Sequence, residues 1–286
     1  MKIRTDLILE ENELQKKSQT GVDFEEITKE NVKITRIKVL DEEGEKALSK
    51  PVGNYVTVEI PNLENHGGSF EDAAEIIKEE LKLLNEKTPQ NVLVVGVGNC
   101  EITPDALGPK TAAGILATRH IDTSLKKELG FEKMKSVSVL SPGVLGQTGI
   151  ELLEVISGTA KTVNPDLVIA VDALAARKLS RLGSTVQISN TGITPGSGVN
   201  NARKEISFRT LGIPVIAIGV PTVVDAHTLI CDLGGKPNNN FPEGENMIVT
   251  PRGIDLMIDR AAELLSFSIN TFLQPEIDKE TLRALV

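Results

Sequence analysis

Three near-continuous apolar runs, NVLVVGV (91–97), DLVIAVDAL (166–174) and IPVIAIGVP (213–221), constrain this chain more than any other feature of its sequence. A strand with one wet face alternates apolar and polar residues, whereas an uninterrupted apolar run suits a strand covered on both faces. SVSVLSP (136–142) and TVQISN (185–190) add two further strands. Helical periodicity marks KTAAGILATRHI (110–121), GIELLEVISGTAKTV (149–163) and RGIDLMIDRAAELLSFSINTFL (252–273). Strands alternating with helices predict an α/β fold, a mostly parallel or mixed sheet flanked by helices. Ahead of this core, VKITRIKVL (32–40) and NYVTVEI (54–60) alternate as half-buried strands, and FEDAAEIIKEELKLLNEK (70–87) reads as a helix. Residues 1–30 are charged and weakly patterned, which predicts a loosely packed arm, and GGKPNNNFPEGEN (234–246) is turn-rich.

The composition agrees with such a core. There is no Trp, one Tyr and seven Phe in 286 residues, so the interior must be aliphatic. A net charge of −9 without a basic stripe argues against direct nucleic-acid binding. Cys100 and Cys231 are far apart and lack metal-site spacing, so neither a disulfide nor a zinc site is expected, and a reducing cytoplasm is the natural setting. No apolar stretch approaches the roughly 20 residues of a membrane span, and MKIRTDLILEENELQKK lacks the apolar core of a signal peptide.

Ligands of open α/β sheets sit beyond the carboxyl ends of the strands. Polar residues gather there in this chain: Asn99 to Asp105, Ser141 to Thr148, Asp172, and Pro221 to Asp225. Thr103-Pro104-Asp105 has the form of a helix start, with Thr as N-cap and Pro at the first position. Gly108-Pro109 should stop any such helix at once, leaving a turn that aims Asp105. Asp172 follows an apolar run and needs a partner there, or its pKa rises. Either it pairs with Arg177 or Arg181, or it meets Asp105 and the two carboxyls share a proton. SNTGITPGSGVNNARKEIS (189–207) could form an anion nest backed by Arg203 and Lys204, although it does not match a phosphate-loop spacing. VLSPGVLGQTG (139–149) could wall the site. His66, His120 and His227 show no metal-ligand spacing, Cys100 has no evident base, and Glu101 falls to a supporting or surface role.

Taken together, VVGVGNCEITPDALGPK, SPGVLGQTGIE, NPDLVIAVDALAARKLSRLGSTVQISNTGITPGSGVNNARKEIS, LGIPVIAIGVPTVVDA and MIVTPRGIDLMI closely resemble the germination protease family of spore-forming bacteria. The matching stretches lie in order over most of residues 90–260. The resemblance implies an α/β core like that of the hydrogenase-maturation peptidases (phosphorylase/hydrolase-like), with an extra N-terminal β-containing segment. It also implies an endopeptidase of the spore core that degrades small acid-soluble spore proteins at germination, is made as a zymogen and assembles as a homotetramer. Family catalysis is attributed to two aspartates without a metal or other cofactor, and these match Asp105 and Asp172. Asn99, Thr103 and the 192–201 loop, with Gly192, Gly196, Ser197 and Gly198, would then orient the substrate carbonyl.

Arg4-Thr5-Asp6-Leu7-Ile8-Leu9-Glu10 imitates the family's cleaved segment, which places self-processing between Asp6 and Leu7. Residues 1–6 become a prosegment and 7–286 a single peptidase domain, with accessory strands at 30–65 and the core at 90–273. Asn190 and Thr194 depart from an Asp and a His usual in the family, and residues 230–250 look shortened. Two other readings stay open at this point. One is a metal-dependent maturation-type peptidase with Asp105 and Asp172 as ligands; the other is a non-catalytic anion-binding protein using residues 192–204.

Overall fold

Apolar side chains point alternately to the two faces of the central strands, so helices must cover both. The computed structural model describes residues 4–15, 20–61, 69–85, 87–128, 130–199, 202–234 and 247–286. His66 and the turn-rich stretch from residue 235 to 246 lie outside the described residues. The first half of the chain forms α1 (Ile8–Leu14), β1 (Val22–Lys29), β2 (Val32–Val39), α2 (Glu42–Leu48), β3 (Gly53–Glu59), α3 (Ser69–Leu84), β4 (Asn91–Gly96), α4 (Leu107–Ala113) and α5 (Thr123–Glu128). Next come β5 (Ser136–Leu140), α6 (Leu145–Thr148), α7 (Leu152–Val163), β6 (Leu167–Ala176) and β7 (Thr185–Ser189). The chain continues through α8 (Phe208–Leu211), β8 (Val215–Asp225), α9 (Ala226–Asp232), β9 (Ile248–Val249), α10 (Ile254–Leu273) and α11 (Lys279–Leu285).

These strands build one mixed sheet in the order β1-β2-β3-β7-β8-β6-β4-β5, with β9 on β8. Its β5, β4, β6 and β8 portion is parallel. From β8 outward, β7, β3, β2 and β1 add on antiparallel. The N-terminal strands therefore extend the core sheet through β7. Val92 and Val94 join Ile169 and Ile218 on one face, under α3 and α10, which contribute Ile77, Leu81, Leu265 and Ile269. Leu93 and Val95 join Val168 and Ala170 on the other face, under Leu152 and Ile156 of α7.

Two expectations change. The N-terminal residues are not a loose arm: Leu7 and Ile8 are fully buried, and β1 pairs with β2 along its whole length. The polarity of β1 is that of an edge strand with both faces largely exposed, and such a strand carries little apolar pattern. The helix expected at 110–121 is instead α4 at 107–113. Pro109 does not stop it, because it occupies the first turn, where backbone N–H groups have no intrahelical acceptor to lose.

α4 lies directly on the sheet. A Cβ on Gly108 would fall 2.2 Å from the Val97 carbonyl oxygen and 2.5 Å from that of Val171, so only glycine permits this approach. The contact fixes the start of α4 against the end of β4 and the middle of β6.

Candidate active site

β4 ends at Gly96 and the chain bends away at Gly98, whose φ of +124° is one that L side chains rarely adopt. The Val97 N–H still donates to the Val171 carbonyl at 2.8 Å, carrying the pairing up to the residue before Asp172. A short 3-10 turn, Thr103–Asp105, then brings Asp105 back over this point. Its Oδ2 accepts the Asn99 N–H at 2.7 Å. Asn99 Oδ1 in turn accepts the Glu101 N–H and Gln147 Nε2. Thr222 Oγ1 of β8 donates to the Pro104 carbonyl at 2.7 Å, so the turn is tied to the sheet from a third strand.

Asp172 and Pro221 to Asp225, expected beyond strand ends, lie within β6 and β8, which pair on past Asp172 as far as Ala176. Asp172 is buried, and its Oδ1 accepts the N–H of Ala173 at 2.9 Å. It has no ion pair with either arginine expected as a partner. Arg177 is drawn to Asp232, and Arg181 to Glu10, Glu13 and Glu59. Burial pushes the Asp172 carboxyl well above the usual carboxylate range, and the nearby charges of Asp105 and Asp6 push it further the same way. Burial also raises Asp105, against the opposing effect of the Asn99 N–H. The Asp105 charge therefore adds to burial in favouring a proton on Asp172.

Asp105 and Asp172 line one cavity of about 410 Å³, together with Asn99, Gly196, Arg203 and Asp6. Asp6 arrives with the N-terminal segment. Its N–H donates to the Ala175 carbonyl and its Oδ2 accepts the Ala175 N–H, both at 2.9 Å. Ser197 Oγ donates to Asp6 Oδ1 at 2.6 Å. A Cβ on Gly198 would come within 2.2 Å of Asp6 Oδ2, so the glycine makes room for the carboxylate.

Beyond Asp6 the segment is fixed by burial and charge. Leu7 packs against Leu174, Leu182 and Met257, and Ile8 against Ile37, Leu48 and Tyr55. Glu10 is fully buried; it accepts the N–H groups of Arg177 and Lys178 and the Thr5 hydroxyl, and pairs with Arg181 at 3.0 Å.

Of the residues singled out in the sequence, Asp105, Asp172, Asn99, Gly196, Ser197, Gly198 and Asp6 come together around this cavity. Gly192 lines an adjoining cavity with Asp172 and Asp6, and a Cβ there would meet the Ile206 carbonyl at 2.1 Å. Thr103, Glu101 and His227 do not line the main cavity, and Lys204 is exposed. The loop contacts the Asp6 carboxylate through the Ser197 hydroxyl, and Arg203 contributes the positive charge. Asn190 lies off to the side, its Oδ1 accepting the Asn54 N–H, while Thr194 lines the adjoining cavity. Sequence reasoning passed over Lys50 and Gln187, which both donate to the Asp6 carbonyl. Gln187 gave a faint signal as the polar break in an otherwise buried strand. Among the described residues no group of three or more His, Cys, Asp or Glu side chains is placed to hold a metal ion, and no helix is long and apolar enough to cross a membrane.

Comparison with known proteins adds a relationship. The family described as germination protease matches residues 3–233. A germination protease of Caldanaerobacter subterraneus subsp. tengcongensis is 44% identical over 99% of this chain and 98% of its own. Those of Clostridium tetani and Priestia megaterium are 39% and 36% identical, each over 99% of this chain and over 99% and 96% of their own. Among solved structures, the hydrogenase maturation protease HycI of Thermococcus kodakarensis KOD1 aligns with a TM-score of 0.39 at 20% identity, over 69% of this chain and 98% of that one.

Proposed function

The chain belongs to the germination protease family and is thus a peptidase, and we propose that it cleaves peptide bonds with Asp105 and Asp172 as a proton-sharing pair that activates water. Small acid-soluble spore proteins are the proposed substrates, and a homotetramer in the spore core the proposed working form. The same pair is proposed to cut the chain itself between Asp6 and Leu7, converting a zymogen into the mature enzyme.

One observation carries this reading: the two aspartates and Asp6 line the same cavity. A buried carboxyl without a cation is costly unless it keeps its proton, and such a group can return that proton to a leaving amine. Its ionised neighbour can take a proton from water. The acidic residue seated there belongs to the segment that resembles the family's cleaved sequence.

The test is incubation of the full chain with a small acid-soluble spore protein, with cleavage positions mapped by mass spectrometry. Wild type should cut the substrate and yield a chain beginning at Leu7; Asp105→Asn and Asp172→Asn should do neither. Wild-type rates in both variants would remove the pair from the mechanism.

A further inference from the structure

Asp6 presents two acceptors to its surroundings, and they go to different places. The carboxylate is taken by Ser197 Oγ and the Ala175 N–H. The main-chain carbonyl accepts from Lys50 Nζ at 2.8 Å and from Gln187 Nε2 at 3.0 Å. Gln187 also accepts the Ile8 N–H with its Oε1 at 2.7 Å. A single side-chain amide thus spans the Asp6–Leu7 bond, holding the carbonyl before it and the second N–H after it.

The two donors come from separate elements. Lys50 precedes β3 and Gln187 stands on β7, whereas the carboxylate seat is made by β6 and the loop at 197–198. A cation and an amide N–H on one peptide oxygen exceed what docking requires, because the Asp6 N–H and side chain already fix the residue to Ala175. Donors placed about 2.7–3.1 Å from a developing oxyanion are the arrangement that stabilises acyl-transfer intermediates.

Resting on the reading that Asp6–Leu7 is the bond cut, we infer that Lys50 and Gln187 are catalytic residues that bind the scissile carbonyl oxygen and stabilise its negative charge during hydrolysis. Water loses a proton to the ionised aspartate and bonds to the Asp6 carbonyl carbon. The C=O π pair moves onto oxygen, where the Lys50 ammonium and the Gln187 N–H meet it. When that pair returns, the C–N bond breaks and the Leu7 nitrogen takes the proton from the aspartic acid. The products are a carboxylic acid on Asp6 and an amine on Leu7. A peptide substrate whose acidic side chain takes the seat of Asp6 places its own carbonyl on the same two donors.

The test follows self-processing of the full chain by intact mass and N-terminal sequencing, for wild type, Lys50→Met, Lys50→Arg and Gln187→Leu, with thermal unfolding of each variant as a check on folding. Wild type should yield Leu7 as the new first residue. Lys50→Met and Gln187→Leu should each slow that first-order step about 10²–10³-fold, the range for loss of one oxyanion donor, and Lys50→Arg should recover part of the rate. Wild type cut at Leu7 with folded Lys50→Met and Gln187→Leu cut equally fast overturns the inference and leaves the proposed function standing. Wild type left uncut between Asp6 and Leu7 overturns both. A readout independent of turnover is the Asp6 carbonyl 13C resonance in the uncut Asp105→Asn chain. It should move upfield when Lys50→Met or Gln187→Leu is added, and an unmoved resonance overturns the inference.

Discussion

Asp6 and Ala175 are joined twice, once through the main chain of Asp6 and once through its side chain, each hydrogen bond 2.9 Å long. In an ordinary strand pairing the Ala175 N–H would go to a main-chain carbonyl; here a carboxylate takes that place. The segment is therefore read by its acidic side chain as well as by its backbone. Asp6→Ala should slow formation of the Leu7-initiated chain about 10- to 100-fold, the equivalent of losing a hydrogen bond to a charged group. The rate is measurable by intact mass over time, and an undiminished rate would remove the acidic side chain from recognition.

The proposed sharing of one proton makes the effects of Asp105 and Asp172 overlap. Each Asp→Asn substitution should lower the rate constant for substrate cleavage by about 10²–10⁴-fold. The double variant should be little worse than either single one, because groups that act as a unit are not additive. Multiplicative losses would instead show two independent roles.

Burial of Asp172 also predicts how stability depends on pH. Its carboxyl keeps a proton in the folded chain over a range where the unfolded chain, near the ordinary value of 3.8, has already released it. Stability from this group accordingly falls as pH rises above about 3.8 towards the raised folded value. Asp172→Asn should unfold at a higher temperature than wild type at neutral pH, and the gain should vanish at pH values below the ordinary carboxylate range. Calorimetry across that range checks it; a gain independent of pH would count against the raised carboxyl.

Glu10 and Arg181 form a buried pair, with the carboxylate fully covered and the guanidinium nearly so. Removing the guanidinium leaves the Glu10 carboxylate buried without a countercharge, held only by neutral donors, a loss of about 3–5 kcal/mol. Arg181→Met should lower the free energy of unfolding in urea by about that amount. A loss of only a few tenths would show that the pair is solvated.

Gly98 holds a φ of +124°, and a Cβ there would sit 2.1 Å from the Asp105 carbonyl oxygen. Gly98→Ala should therefore displace the Asp105 turn and destabilise the fold by about 1–3 kcal/mol through backbone strain. Substrate cleavage should fall further than stability does at temperatures where the variant is still folded. Activity and unfolding measured on the same sample would separate the two effects.

How much of this could be read beforehand depended on where the physics was local. The apolar runs of β4, β6 and β8 announced a buried sheet because every residue in them had to face a helix. Asp105 was legible because strand ends are where polar groups escape the core. Asp172 was legible only as the one carboxyl in an apolar run, and it stands inside β6 rather than at its end. Pro109 misled because its effect depends on where the helix begins, and the 3-10 turn ahead of α4 moved that start. Glu10 was illegible because its partners, Arg181 and the N–H groups of Arg177 and Lys178, are supplied by a distant part of the chain. Lys50 and Gln187 gain meaning only once Asp6 is seen between them.

The anchorage of the N-terminal segment differs in kind on the two sides of the Asp6–Leu7 bond. On the carboxyl side the hold includes apolar burial of Leu7 and Ile8 and the buried Glu10 ion pair; on the amino side it is polar, through the hydrogen bonds of Thr5 and Asp6 and the pairing of Arg4 with Asp225 and Thr228. Hydrolysis would leave the new amine in place, at an effective concentration beyond that of any free peptide. Bond breaking alone would then be readily reversed. In the proposed self-processing, escape of the released segment becomes the ratchet that makes the cut permanent, and the bonds of Arg4, Thr5 and Asp6 set how fast it turns.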